Sequence, residues 1–270
     1  MAFTVVVGML LATRPAPSWR VLLFGTLGIA LVAASAAAIN HLVDRRIDAL
    51  MARTRRRPLP SGALSAIQVG VFAALLGAAG TALLLHFTNP LCALLTLASL
   101  VGYAGVYSLL LKHSTPQNIV IGGAAGAAPP LLAWVAVTGR VGAGALLLFP
   151  IIFVWTPPHF WALAIHRRDD YARAAVPMLP VTHGVAFTAR RIVAYTGLLW
   201  LVTLLPFAIG MSGWLYLGAA LLLGARFMGL AVGLWHDIRM AVPTFRFSIV
   251  YLFALFAALL ADHYLVPWPA

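Results

Sequence analysis

The chain has 270 residues, of which 63% are hydrophobic and only 9% charged, with a mean hydropathy of +0.98. Such a balance excludes a soluble globular domain, because too few polar side chains exist to face water. The formal charge of +12 does not point to nucleic acid, since the arginines are spread through connections between apolar runs rather than gathered in a basic domain.

Apolar runs of about 20 residues recur along the chain, each long enough as a helix to cross a hydrocarbon core of roughly 30 Å. The expected fold is all-α: a polytopic membrane bundle forming a single integral-membrane domain over 1–270, with the lipid bilayer as solvent. The pattern predicts nine helices, over 1–13, 19–43, 63–87, 90–110, 118–138, 144–165, 191–210, 213–234 and 246–265. The first has only about twelve apolar residues before Arg14, short of a span, so a truncated first helix belonging to the mature protein is expected.

One set of alternate loops holds fourteen of the 18 lysines and arginines; the opposite set holds Arg14, Arg20 and Arg140, and Arg226 is left inside a span. The positive-inside rule makes the first set cytoplasmic and puts the C-terminus, with Trp268 as an interfacial anchor, outside. The two longest loops, 44–62 and 166–190, share the cytoplasmic side. Four spans separate them, which suggests one such loop in each half of a duplicated bundle. The single cysteine, Cys92, excludes an intrachain disulfide and a cysteine-based metal cluster.

The only acidic residues are six aspartates, and four of them fall in those two loops. Asn40, Asp44 and Asp48 follow at intervals of four, which places them within about 80° of arc on one helical face. Three oxygen ligands together suit Mg²⁺, which accepts a few carboxylates and keeps positions for water and phosphate oxygens. The alternative is that Asp44 and Asp48 pair with Arg45, Arg46 or Arg53 in a solvated loop. The run from Arg53 to Gly62, with four arginines, is suited to clamping a diphosphate, because guanidinium forks match phosphate oxygens. The second acidic site, Asp169-Asp170 within Arg167–Arg173, suggests a second ion on the same leaving group, or else a helix cap. Lys112 and Asn118 add a cation and polar donors on that side, although Lys112 also fits a lysine snorkelling from a helix end.

Together these clusters resemble the UbiA superfamily of intramembrane prenyltransferases, whose signature is N-x-x-x-D-x-x-x-D plus a second aspartate-rich motif. Within it the chain is similar to the protohaem IX farnesyltransferase (haem O synthase) branch, through AINHLVDRRIDALMARTRRRPLPSG (38–62), LKHSTPQNIVIGGAAGAAPPLLAW (111–134), WTPPHFWALAIHRRDDY (155–171) and VPMLPV (176–181). The resemblance implies transfer of the farnesyl group of farnesyl diphosphate to a vinyl carbon of haem B, with water added. It implies Mg²⁺ at Asn40, Asp44 and Asp48, a second site at Asp169 and Asp170, and diphosphate contacts from Arg53, Arg57, Lys112 and Asn118. It also implies a bacterial inner-membrane enzyme with its active site on the cytoplasmic side, and a haem A synthase as downstream partner. Two departures stand out: Ala175 occupies a position where the family usually has glycine, and the family's Lys-Pro-Arg element before the first span is missing.

For the haem, His159 lies among aromatics that stack on a porphyrin, with His41 and His166 as competitors; a lone histidine near a helix end is otherwise a structural residue. The small-residue run Gly122–Ala128 is expected to pack helices closely. The rival readings are a quinone-precursor prenyltransferase and a small-solute transporter, the latter disfavoured by the near absence of mid-span ionisable groups.

Overall fold

The computed structural model describes residues 1–51, 54–111 and 115–266, so Arg53, Lys112 and Trp268 lie outside the described residues. Every element among these is helical. Helix α1 (Ala2–Leu11) is short, α2 (Val21–Leu50) opens with a π-helical turn, and α3 (Ala66–Phe87) returns beside it. Helix α4 (Pro90–Val101) continues as a π-helix over Gly102–Leu111. After α5 (Asn118–Thr138) and α6 (Ala143–His166) come two short pieces, α7 (Arg168–Arg173) and α8 (Leu179–Thr182). Helices α9 (Val185–Val202), α10 (Trp214–His236) and α11 (Ala241–Leu265) complete the chain.

All nine predicted segments fall on helices, but among the described residues only seven are long and apolar enough to cross a membrane. The other two are α1 and α4. The chain is therefore a multi-pass integral membrane protein, with seven rather than nine crossings supported by length and composition.

Several boundaries also shift. Helix α2 runs to Leu50 rather than stopping at 43, α9 starts at Val185 rather than 191, and α11 starts at Ala241 rather than 246. The apolar-run criterion stops at the first charge, whereas a helix continues past the hydrocarbon edge, where arginine side chains reach the interface. In α2 no glycine or proline intervenes between Asp44 and Leu50, so Asp44 and Asp48 are helical and not loop residues.

In lipid, helices associate through close packing and hydrogen bonds rather than through the hydrophobic effect. Helices α2 and α3 show both devices. A Cβ on Gly80 would lie 2.7 Å from the Gly28 carbonyl oxygen, so neither backbone tolerates a side chain there, and Ser35 Oγ donates to the Ala73 carbonyl at 2.7 Å. Helix α5 lies along α6, which also packs against α9 and α11, and α1 packs against α5 and α11. A capping box at Ser65 and Gln68 starts α3, and Asn89 caps α4 through the Cys92 amide at 2.9 Å. Asp262, 2% exposed on α11, accepts from the Gly213 and Tyr216 amides and so holds the start of α10. Arg226 is exposed on the outer face of α10.

Candidate active site

Helix α2 carries Asn40, Asp44 and Asp48 along one face, and the two carboxylates are only 2% and 5% exposed. Arg57 Nη1 donates to Asp48 Oδ2 at 2.7 Å, and Thr54 Oγ1 donates to the Asp48 carbonyl at 2.9 Å, which folds the following turn back over the helix end. Asp48 thus pairs with Arg57, while Arg45 and Arg46 are exposed. Among the described residues no three His, Cys, Asp or Glu side chains form a closed metal cage. Two buried carboxylates with an amide one turn away do fit Mg²⁺, which is bound through a few protein oxygens plus water and substrate phosphates.

The second acidic motif forms α7. Asp170 sits between Arg167, at 3.7 Å, and Arg173, whereas Asp169 is exposed. The residue at the cap of α7 is Arg167, and its side chain makes no capping bond, so the capping alternative finds no support. Residues flanking the two motifs share one hydrophobic cluster: Ile47 of α2 and Met51 just past its end belong to it with Tyr171, Ala174 and Val176, as does Ile119, next to the fully buried Asn118. Two tyrosines of the π-helical stretch, Tyr103 and Tyr107, lie near Asp44, and Tyr107 also lies near Tyr171.

The tyrosine rings lie 5.2 Å apart. Gly122 makes room for them, since a Cβ there would fall 2.2 Å from the Tyr107 ring. The small-residue run of α5 therefore does more than pack helices; it seats an aromatic side chain and lines two cavities.

The first cavity, about 280 Å³, is apolar and is lined by Ile29, Ala33, Ala36 and Ala37 of α2 with Leu100 and Leu132 opposite. At 3.6 residues per turn, Ala33, Ala37, Asn40, Asp44 and Asp48 lie on one continuous stripe, so this slot opens on the same face of α2 as the carboxylates. The second, about 380 Å³, is lined by Tyr107, Gly123, Trp155, Thr156, His159 and Phe160. Tyr103 and Gly126 line both. The His159 ring stacks on Trp155 with centroids 4.1 Å apart, and its Nδ1 lies 2.7 Å from Ser248 Oγ. Of its competitors, His166 is exposed at the end of α6 and His41 is half-buried on α2.

The sequence model of the UbiA prenyltransferase family matches residues 1–260. The chain belongs to this family. It is 63% identical over 268 residues to a protein named protoheme IX farnesyltransferase from Stutzerimonas stutzeri (strain A1501), covering 98% of this chain and 90% of that protein. A solved digeranylgeranylglyceryl phosphate synthase superposes with a TM-score of 0.81 at 19% identity, over 97% of this chain and 92% of the other. A UbiA homologue from Archaeoglobus fulgidus, bound to DMAPP and Mg²⁺, superposes with a TM-score of 0.65 at 16% identity, over 96% and 94%. The fold is thus the UbiA fold, and membership of a prenyltransferase family displaces the transporter reading.

Three features of this UbiA site escaped the sequence reading: Tyr103, Tyr107 and Ser248. The tyrosines sit inside an apolar run, where aromatic residues are ordinary, and the one signal was the glycine-spaced pattern GYAGVY at 102–107. Ser248 lies 89 positions from the histidine it touches, and nothing local marks it.

Proposed function

We propose that this chain transfers the farnesyl group of farnesyl diphosphate to a vinyl carbon of haem B, releasing diphosphate and forming haem O. The observation that carries the reading is the pair of cavities that share Tyr103 and Gly126, one an apolar slot on the aspartates' face of α2 and the other lined by aromatics and His159. The identity to proteins named protoheme IX farnesyltransferase favours haem over a quinone precursor as the acceptor.

In this account Asn40, Asp44 and Asp48 hold Mg²⁺, with Asp170 and Asp169 serving a second position from α7. A bound Mg²⁺ supplies positive charge to the departing diphosphate. Arg57 and Asn118, with Arg53 and Lys112 beyond the described residues, hold the diphosphate oxygens, and the slot along Ala33 and Ala37 keeps the allylic chain away from water. The C1–O bond breaks with its electron pair leaving on diphosphate. The vinyl π electrons form the new bond to C1, and water adds at the resulting cation with loss of a proton. In this account Tyr103, which lines both cavities, and Tyr107, which lines the second, offer their rings to that positive charge and stabilise it. The site faces the cytoplasm, in a bacterial inner membrane, because the flanking loops carry most of the arginines. A haem A synthase that takes up the product is the partner this chemistry suggests.

The test is incubation of membranes containing the protein with haem B, farnesyl diphosphate and Mg²⁺, followed by mass analysis of extracted haem. Haem carrying a hydroxyethylfarnesyl group is expected, and chelating the metal should abolish it. Consumption of a phenolic acid in place of haem would overturn the assignment of the acceptor.

A further inference from the structure

Ser248 is fully buried on α11, in direct contact with His159 of α6. Its hydroxyl lies 2.6 Å from the Phe245 carbonyl oxygen, which can only accept, so the serine hydrogen points there. The same Oγ is 2.7 Å from His159 Nδ1 and has only lone pairs left to offer. Nδ1 must therefore carry the hydrogen of that bond. In a neutral imidazole this assigns the lone pair to Nε2, and no hydrogen bond reaches Nε2 among the described residues.

The ring is also held in orientation. Trp155 stacks on it at 4.1 Å, and Phe245 and Phe160 lie 4.8 Å and 5.0 Å away. The Trp155 indole N–H donates to the Ser248 carbonyl at 2.8 Å, so one residue of α11 anchors both members of the stacked pair. An imidazole whose Nδ1–H is tied to a fixed oxygen, with Nε2 free of hydrogen bonds on a ring that lines a cavity, is the arrangement by which proteins offer histidine to a metal.

We propose that Ser248 is a positioning residue that locks the tautomer and ring orientation of His159, so that Nε2 ligates the iron of the acceptor haem and fixes which porphyrin edge meets the allylic chain at Tyr103. The proposal rests on haem B being the acceptor. Ser248 touches no substrate; it acts through His159.

The experiment is a titration of haem B, without farnesyl diphosphate, into detergent-purified wild type, Ser248→Ala, Ser248→Thr, His159→Ala and His159→Gly. It is read by electron paramagnetic resonance and the optical spectrum of the haem, alongside KM for each substrate in the mass assay. Wild type should show a nitrogenous axial ligand, which His159→Ala loses and His159→Gly regains with added imidazole. Ser248→Ala should weaken haem binding and raise KM for haem by roughly 10- to 100-fold, the range for loss of a ligand's supporting hydrogen bond, with KM for farnesyl diphosphate unchanged. Ser248→Thr, which keeps the hydroxyl, should stay near wild type. If wild type farnesylates haem while His159→Ala keeps the axial signature, or Ser248→Ala titrates like wild type, the inference falls and the proposed function stands. If wild type consumes no haem, both fall.

Discussion

Replacing Arg57 with alanine separates what the site contributes to folding from what it contributes to binding. The Arg57–Asp48 pair spans 2.7 Å, with side-chain exposures of 28% and 7%, so the carboxylate is buried and the guanidinium more than a quarter open. Stranding a carboxylate in a fully buried pair costs about 3–5 kcal/mol, and the open side of this pair reduces that to about 2 kcal/mol, or a fall in Tm of about 4–8 °C. Adding Asp48→Asn to Arg57→Ala removes the stranded charge and should recover roughly half of that loss, a non-additive result. Activity should not follow. A charge-assisted bond to phosphate contributes about 1.5–3 kcal/mol, so Arg57→Ala should raise KM for farnesyl diphosphate roughly 10- to 150-fold, with KM for haem unchanged. The double variant, which also lacks a carboxylate for the metal, should remain inactive. Thermal unfolding in detergent and the mass assay read the two effects. Equal rises in both KM values, or additive losses of stability, would refute the reasoning.

Gly122→Ala should destabilise the bundle by about 1–3 kcal/mol because its new methyl would lie 2.2 Å from the Tyr107 ring, whereas Gly126→Ala, with open space around it, should unfold like wild type; a thermal scan of both checks this. Ala175 is held at φ 52°, in the left-handed region that disfavours a Cβ, so Ala175→Gly should raise stability by about 0.5 kcal/mol, the strain relief being partly offset by glycine's greater freedom when unfolded. Asp262→Ala should cost about 1–3 kcal/mol by stranding the Gly213 and Tyr216 amides, yet leave kcat per folded molecule unchanged, since Asp262 lies at the far end of α11 from the site.

Much of this site was legible in the chain because membranes make polar groups conspicuous. Asp44 and Asp48 stood out as carboxylates at the end of an apolar run, and their spacing of four fixed their common face before any coordinates. The same criterion misplaced the end of α2, since a charge ends an apolar run without ending a helix. Ala175 was notable only for departing from a usual glycine; the left-handed backbone supplies the reason for that glycine. Tyr103 and Ser248 were illegible for different reasons. An uncharged aromatic in a span has no contrast with its neighbours, and a serine acquires meaning only from the distant histidine that tertiary packing brings to it. The pairing of Asp48 with Arg57, rather than with the nearer Arg45 or Arg46, likewise depends on the turn that Thr54 closes.

The claim on which the account turns is that the buried α2 carboxylates take up a divalent ion together with a prenyl diphosphate, and Mn²⁺ standing in for Mg²⁺ reads this directly. Electron paramagnetic resonance of free Mn²⁺ should show ion uptake by the purified wild type when farnesyl diphosphate is added, and none above the diphosphate-only control with Asp44→Ala. Uptake by Asp44→Ala equal to wild type, or no uptake by wild type in the presence of the diphosphate, would contradict it.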